Sequence, residues 1–202
     1  MYDTIIIGAG PAGLTALLYL QLYGFNACCL GDEIGGKLLK APDIVDFPGI
    51  LNIKGADFID ELVNQIPNKT AIRKRTVKNV TKTTENIDLF KVETDFPDQY
   101  LTKTIVISAG NGNKQKFNHC AFFIKQLNLA QKGNLLLVNK SMETNISGVF
   151  GAGDSLSYPD SLEQLGTAVA TGIRVASAIF QSLRGTPPPI VWGKSAIPRK
   201  IY

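Results

Sequence analysis

The chain has 202 residues, of which 45% are hydrophobic and 19% charged, and its formal net charge is +4. That length suits one domain of about 100–200 residues, and the apolar content excludes a disordered or fibrous chain. The charge excess, 21 basic against 17 acidic residues, is too small to predict a nucleic-acid partner.

Membrane, secretory and metal-binding classes are also disfavoured. No apolar run reaches the roughly 18–20 residues that span a bilayer, and the first residues lack a basic leader, so we expect neither a membrane span nor a signal peptide. Cys28, Cys29 and Cys120 are too few for a disulfide framework, and no CxxC or Cys/His cluster is present to hold zinc. A cytoplasmic location is expected.

The first predicted elements form a strand, a glycine turn, a helix and a second strand. Residues 4–7 are an apolar, mostly β-branched run that ends at Gly8, and residues 11–23 carry leucines at helical spacing. Gly24 ends that helix, and residues 26–30 predict another buried strand. One βαβ unit is therefore expected over residues 3–30.

The remaining elements are predicted from periodicity and from turn residues. A second helix is expected over residues 55–66, a three-stranded meander over 77–81, 87–94 and 101–107, strands over 134–139 and 147–150, and a long helix over 162–183. Residues 111–133 are weakly patterned. The proline-rich tail over 185–202 is expected to run extended.

A GxGxxG motif lies between the first strand and the first helix. Gly8 permits the tight turn, Gly10 lets a pyrophosphate approach the backbone, and Gly13 lets the helix pack on the strand. Asp32 or Glu33 follows about 20 positions later, where an acidic residue binds a ribose. This arrangement predicts a dinucleotide site at the helix N-terminus.

Six motifs occur in the order found in low-molecular-weight thioredoxin reductases and in the related thioredoxin-reductase-type ferredoxin-NADP reductases. The chain resembles that family at residues 8–13, 35–38, 46–49, 107–110, 144–154 and 164–176. The resemblance implies an α/β fold, a Rossmann-type FAD-binding domain of the two-dinucleotide-binding flavoprotein class with a three-stranded β-meander. It also implies FAD as the cofactor.

The resemblance further implies roles for particular residues. Asp154 is expected to hydrogen-bond the ribityl chain, and the helix that follows Gln164 is expected to point its N-terminus at the pyrimidine edge of the flavin, where reduced flavin carries negative charge. The predicted cofactor-binding residues are Gly8, Gly10, Pro11, Ala12, Gly13, Asp32, Glu33, Gly36, Lys37, Val80, Ala109, Gly110, Gly153, Asp154, Gln164, Leu165, Thr167, Ala168 and Trp192.

Two family features are missing from the sequence. The second nucleotide-binding domain would lie between the strand that ends near Ser108 and the strand before Asp154, but only residues 111–134 fill that gap, against the roughly 100 residues that a Rossmann unit needs. The redox CxxC is also absent. Cys120 is expected to be a half-buried structural thiol and not a redox centre.

Two substitutions bear on the flavin. Glu163 stands where family members often have Arg, which would lower the flavin potential, and Lys37 stands where Gln is common. The positive charge of Lys37 is one way to compensate for Glu163. A purely solvated role for either residue remains open.

Basic residues cluster over residues 67–82 and predict either a solvated sheet face or a docking surface for an acidic electron carrier. In the tail, Trp192 or Tyr202 is a candidate to stack on a flavin left bare by the missing domain. An unstructured tail is the alternative.

The sequence as a whole predicts an FAD-binding domain over residues 1–184 and a tail over 185–202. The expected function is that of an FAD-dependent oxidoreductase or electron-transfer flavoprotein without its own NAD(P)H site or redox disulfide; the alternative is a non-catalytic FAD-binding subunit completed by a partner chain. A protein or small-molecule redox partner is expected, with a homodimer left open. No catalytic residue is assigned.

Overall fold

The computed structural model describes residues 1–83, 89–112 and 119–190. Its four helices in these ranges are α1 (Pro11–Leu22), α2 (Gly55–Gln65), α3 (His119–Leu127) and α4 (Leu165–Arg184). The strands are β1 (Tyr2–Ile7), β2 (Ala27–Gly31), β3 (Ile72–Lys74), β4 (Val77–Lys82), β5 (Phe90–Thr94), β6 (Gln99–Ile107), β7 (Gln131–Lys132), β8 (Leu135–Leu136) and β9 (Val149–Gly151). Short 3₁₀ turns occupy Gly36–Lys40, Lys69–Ala71 and Gly153–Ser155.

The sheet has a parallel part and an antiparallel part that share β6. Strands β3, β2, β1, β6, β5 and β4 lie side by side in that order, and β9 also pairs with β6. The first residues of β6 pair with β5 in the antiparallel meander, whereas Ile105–Ile107 pair in parallel with both β1 and β9. Because β1, β2, β6 and β9 are parallel, their carboxyl ends meet at one edge of the sheet.

Helix α1 is buried on most of its surface, including eight of its twelve residues. It begins at Pro11, whose missing N–H would have no helical partner in the first turn anyway. It packs against β1, β2, α2 and α4. This enclosure explains why its apolar residues do not form a single stripe.

Helix α4 crosses α1 at very short range. A Cβ built on Gly172 would lie 2.5 Å from the Ala12 carbonyl oxygen, so only glycine allows this approach. Further along the helix, the Phe180 ring packs on Tyr23 at 5.3 Å and on Phe25 at 5.7 Å between ring centroids. These contacts hold α4 alongside α1, with Gly172 opposite Ala12 near the start of α1 and Phe180 beside Tyr23 at its end.

The fold class predicted from the sequence is confirmed, and most elements lie within a few residues of their expected bounds. Helix α4 begins three residues later than expected, at Leu165, after Glu163 adopts a left-handed φ of 54°. The strands expected over 134–139 and 147–150 are shorter, at Leu135–Leu136 and Val149–Gly151.

Three helices or strands were not predicted: β3, α3 and the two-residue strand β7. Strand β3 is a three-residue edge strand beside β2, too short to show a period. Helix α3 lies inside the weakly patterned segment, yet Cys120, Phe123 and Ile124 face the core at helical spacing. That signal was present in the sequence but covered only nine residues.

Candidate functional site

A cavity of about 680 Å³ lies at the carboxyl edge of the parallel strands. Its walls come from the turn after β1, the end of β2, the residues after β6 and those after β9, together with the start of α4. Open parallel sheets bind ligands at this edge, and the volume lies within the usual range for ligand sites, about 300–1,000 Å³. The cavity is therefore the candidate site.

The three glycines of the GxGxxG turn face different surroundings. A Cβ on Gly8, at φ 110°, would lie 2.3 Å from the Ser108 carbonyl oxygen, and one on Gly13 would lie 1.9 Å from the Gly8 carbonyl oxygen. A Cβ on Gly10 would meet no protein atom within 4 Å. Gly8 and Gly13 therefore serve packing, whereas Gly10 keeps a space open beside the helix.

Two helix N-termini border the cavity, those of α1 at Pro11 and of α4 at Leu165. Neither helix has an acidic residue in its first turn. The partial positive charge of each terminus is thus not offset within its own helix and favours an anionic group in the cavity.

The loop that contains the paired glycines covers the GxGxxG turn. The Gly35 N–H donates to the Ala9 carbonyl oxygen at 2.7 Å. A Cβ built on Gly36, at φ 57°, would lie 3.5 Å from the Cα of Gly10. The next residue of the loop, Lys37, lines the cavity.

Asp154 lies on the 3₁₀ turn after β9 and lines the same cavity. Its carboxylate oxygen Oδ2 is 3.7 Å from Lys37 Nζ, and Ser161 Oγ donates to its other oxygen at 3.4 Å. Burial raises the pKa of Asp154 above its ordinary value, Lys37 lowers it, and the neighbouring charge of Glu163 raises it. Within the described residues, the ionised Asp154 carboxylate is therefore partly removed from water and has few groups that stabilise its charge.

Asp32 lies directly after β2 and also lines the cavity. Its side chain is 61% exposed, and its oxygen Oδ2 is 3.6 Å from Nε2 of His119, the first residue of α3. Asp32 Oδ1 accepts a hydrogen bond from the Glu33 N–H at 2.9 Å. His119 lines the cavity too, although sequence reasoning gave it no role.

Most of the predicted cofactor residues meet at this cavity. Those that line it are Gly8, Gly10, Pro11, Ala12, Asp32, Glu33, Gly36, Lys37, Ala109, Gly110, Gly153, Asp154, Gln164, Leu165 and Ala168. Gly13 and Thr167 lie in the helices behind the wall and do not line it. Trp192 and Tyr202 lie outside the described residues.

Val80 does not line the cavity, because it is buried in the meander at 1% exposure and its N–H donates to Gln126 Oε1. Val77 lines the cavity instead. A register shift between Val77 and Asn79 lets both valines face inward, which strict alternation along a strand would not allow. The sequence shows no sign of that bulge.

The basic cluster over residues 67–82 is divided between two environments. Arg73 donates hydrogen bonds to the hydroxyls of Tyr100 and Tyr2, and Arg75 pairs with Asp98 at 3.2 Å while it lies over the Phe96 ring. Arg75 also lines the cavity, which sequence reasoning missed. The lysines Lys74, Lys78 and Lys82 are exposed.

All three cysteines are free and buried. Cys120 is fully buried, so the expectation of a half-buried thiol was wrong; α3 turns its side chain into the core, where its thiol donates to the Ser155 carbonyl oxygen. Burial raises the pKa of Cys120 and of Cys28 to about 11, and it raises that of Cys29 as well. None of these thiols is poised to form a thiolate at neutral pH.

Within the described ranges, no helix is long and apolar enough to cross a membrane, and no group of three or more His, Cys, Asp or Glu side chains could hold a metal ion.

The parallel sheet, the glycine turn and the two helix N-termini at its carboxyl edge have the arrangement of the Rossmann-type α/β folds. The pyridine nucleotide-disulphide oxidoreductase model matches residues 44–172, which is more than half of the chain. The chain belongs to that family, and the resemblance recognised in its motifs is confirmed.

Curated relatives include ferredoxin–NADP reductases. One from Streptococcus agalactiae is 30% identical over 84% of this chain and 53% of the relative, and one from Latilactobacillus sakei is 36% identical over 55% of this chain and 35% of the relative. The chain therefore spans about half, or less, of the relatives' length. The thioredoxin reductase of Streptococcus pyogenes has a similar structure, with a TM-score of 0.79, 17% identity and coverage of 92% of this chain and 99% of that chain. This likeness concerns the fold alone.

Proposed function

We propose that this protein binds FAD in the cavity and acts as a flavin-dependent oxidoreductase. The observation that carries the proposal is the open space at Gly10, where an added Cβ would meet no protein atom although the flanking Gly8 and Gly13 are tightly packed. A pyrophosphate that lies over a helix N-terminus needs that space. Family membership supports a redox function.

The residues around the cavity suit the parts of FAD in turn. The turn from Gly8 to Gly13 would hold the pyrophosphate, and Asp32 with Glu33 would accept hydrogen bonds from the ribose. Asp154 would accept from hydroxyls of the ribityl chain, and the N-terminus of α4 would face the flavin ring. When bound, FAD supplies a centre that accepts electrons from one partner and passes them to another.

We further propose that the electrons come from a separate protein or a diffusible reductant. Support comes from the sequence, which contains one GxGxxG motif and no CxxC. The exposed lysines Lys74, Lys78 and Lys82 would attract an acidic electron carrier. The proposed FAD domain covers residues 1–184. We also propose a cytoplasmic location, which suits three free thiols, and a function that involves neither nucleic acid nor a membrane.

A second candidate is an FAD-binding subunit that a partner chain completes. It is favoured by the segment between β6 and β9, residues 108–148, which is too short for a second nucleotide-binding domain of roughly 100 residues. The two candidates predict different results when reductants are offered to the isolated protein.

The test is anaerobic reduction of the purified protein, followed by bleaching of the visible flavin absorbance. Reduced ferredoxin, NADPH, NADH and dithionite are compared. Rapid bleaching by a physiological donor supports a complete oxidoreductase. Bleaching by dithionite alone supports the subunit, and absence of any flavin contradicts both candidates.

Among these reductants, NADPH tests most directly whether the chain has its own nucleotide-binding site for the electron donor. We expect slow reduction that does not saturate below about millimolar NADPH, because saturation requires a pocket built for the nucleotide. A saturating rate with a micromolar constant would show that this chain holds an NADPH site after all. NADH serves as the control, since a site that reads the 2′-phosphate would separate the two donors.

A further inference from the structure

Lys37 joins three walls of the cavity. It lies on the 3₁₀ turn Gly36–Lys40, and its ammonium group donates to Asn111 Oδ1 after β6 and lies 3.7 Å from Asp154 Oδ2 after β9. The lysine side chain is 55% exposed and that of Asp154 only 22%. Lys37 thus reaches inward from the loop that covers Gly10.

Asp154 has few other groups that favour its charged form. Ser161 donates one long hydrogen bond, and Glu163 faces the carboxyl with a like charge. Helix α1 and strand β8, which pack near this turn, carry no charged side chain, and the two arginines of α4 lie beyond its first two turns. Burial raises the pKa of Asp154, and among the described residues Lys37 is the one cation that lowers it.

We propose that Lys37 is a positioning residue that holds the Asp154 carboxylate ionised and turned into the cavity, as an acceptor for hydroxyl groups of the bound ligand. This inference rests on the proposed function, in which those hydroxyls belong to the ribityl chain of FAD. Lys37 acts through Asp154, and the proposal does not require Lys37 to contact the ligand. A protonated carboxyl would lose the charge-assisted hydrogen bond.

The consequence is a pH dependence of FAD affinity that Lys37 sets. As the pH falls, protonation of Asp154 removes the charged acceptor and affinity drops by about tenfold. Without Lys37 the pKa of Asp154 rises further, so the drop occurs at higher pH. Asp32, Glu33, Glu163 and His119 also line the cavity, and any effect they have on the profile must be separated from that of Asp154.

A double-mutant cycle separates them. FAD affinity is measured by flavin fluorescence across a pH series for the wild type, Lys37→Gln, Asp154→Asn and the double variant. We expect Lys37→Gln to move the acid limb of the profile to higher pH in the wild-type background, and to leave it in place in the Asp154→Asn background. Because Lys37 is more than half exposed, its variants are expected to fold.

Two further variants are matched controls. Lys37→Arg keeps the charge and is expected to keep the wild-type profile. Lys40→Gln removes a charge from the same turn, at a residue that borders the cavity and has no carboxylate within ion-pair distance among the described residues, and is expected to leave the acid limb unmoved.

The outcomes distinguish this inference from the proposed function. An equal loss of affinity at every pH, in both backgrounds, would show that Lys37 binds the ligand directly and would overturn the inference. A Lys37→Gln profile identical to the wild type would overturn it as well, with FAD binding intact. A wild type with no affinity for FAD at any pH would overturn both.

Discussion

Two aspartates in different regions of the molecule differ in how far the protein itself stabilises their charged form. In the meander, hydrogen bonds from Thr94, Tyr100 and Arg75 hold the pKa of Asp98 at about 2, well below its ordinary value. At the carboxyl edge of the parallel strands, burial raises the pKa of Asp154 with one lysine to oppose it. Asp98 accepts several hydrogen bonds from the protein, whereas Asp154 has, among the described residues, one ion pair with Lys37 and one long hydrogen bond from Ser161.

The difference teaches where to look for function in this fold. A carboxylate whose oxygens already accept hydrogen bonds from the protein, such as Asp98, stabilises the fold. Few of its lone pairs remain free to accept hydrogen bonds from a ligand. A buried carboxylate with few partners is costly unless something else completes it. Substitutions of the two carboxylates should therefore affect different properties, stability for Asp98 and cofactor affinity for Asp154.

The largest effect is expected at Gly13, which lies behind the cavity wall. Its added Cβ would lie 1.9 Å from the Gly8 carbonyl oxygen, and neither backbone segment can move without separating α1 from β1. Gly13→Ala should lower the free energy of unfolding by about 3 kcal/mol or more. Urea denaturation measures the loss. Gly166→Ala is the control, because a Cβ there meets nothing within 4 Å and the residue is also helical.

Asp98→Asn should lower stability and leave FAD affinity unchanged. Because the folded-state pKa is lowered, to about 2 from 3.8, the ionised carboxylate stabilises the fold above about pH 4, and this contribution disappears as the pH falls through 2. The difference in Tm between wild type and variant should be largest at neutral pH and vanish near pH 2.

The control for that experiment is Asp43→Asn, an exposed carboxylate in the loop before Ile44, which should leave Tm unchanged. A Tm difference that persists at pH 2, or a loss of FAD affinity in Asp98→Asn, would contradict the separation of the two regions.

The smallest effect on function is expected at Cys120. Its thiol is fully buried and its pKa is about 11, so Cys120→Ala should destabilise the protein by about 1 kcal/mol and leave the rate of flavin reduction unchanged. Stopped-flow bleaching with one donor tests the second point. A reduction rate that falls severalfold in the variant would reinstate a redox role for this thiol.

The parallel region was predictable in detail because its signals are local. The GxGxxG turn fixes a strand, a helix and the space at Gly10 within a few residues of sequence. The ion pair between Lys37 and Asp154 was not predictable in this way. Its partners are more than 100 positions apart, and only the shared sheet edge brings them to 3.7 Å.

The errors have similar physical causes. Helix α3 was missed because nine residues give a weak periodic signal, and with it the contact of His119 with Asp32. Val80 was expected at the site, but it is buried in the meander and does not line the cavity. The bulge after Val77 changes which residues of the strand face inward, and no residue type in the sequence predicts this bulge.

The most direct test of the central claim is to identify the bound flavin in the wild type and in Gly10→Val. A pyrophosphate site predicts FAD in the wild type, because FMN has no pyrophosphate to place over α1. Gly10 has an ordinary φ of −78°, so Gly10→Val should fold, at a cost of about 1 kcal/mol for the helix N-cap, and lose FAD. Mass spectrometry of the extracted flavin and the Tm of both proteins give the answer. FMN in the wild type, or full FAD content in Gly10→Val, would contradict the account.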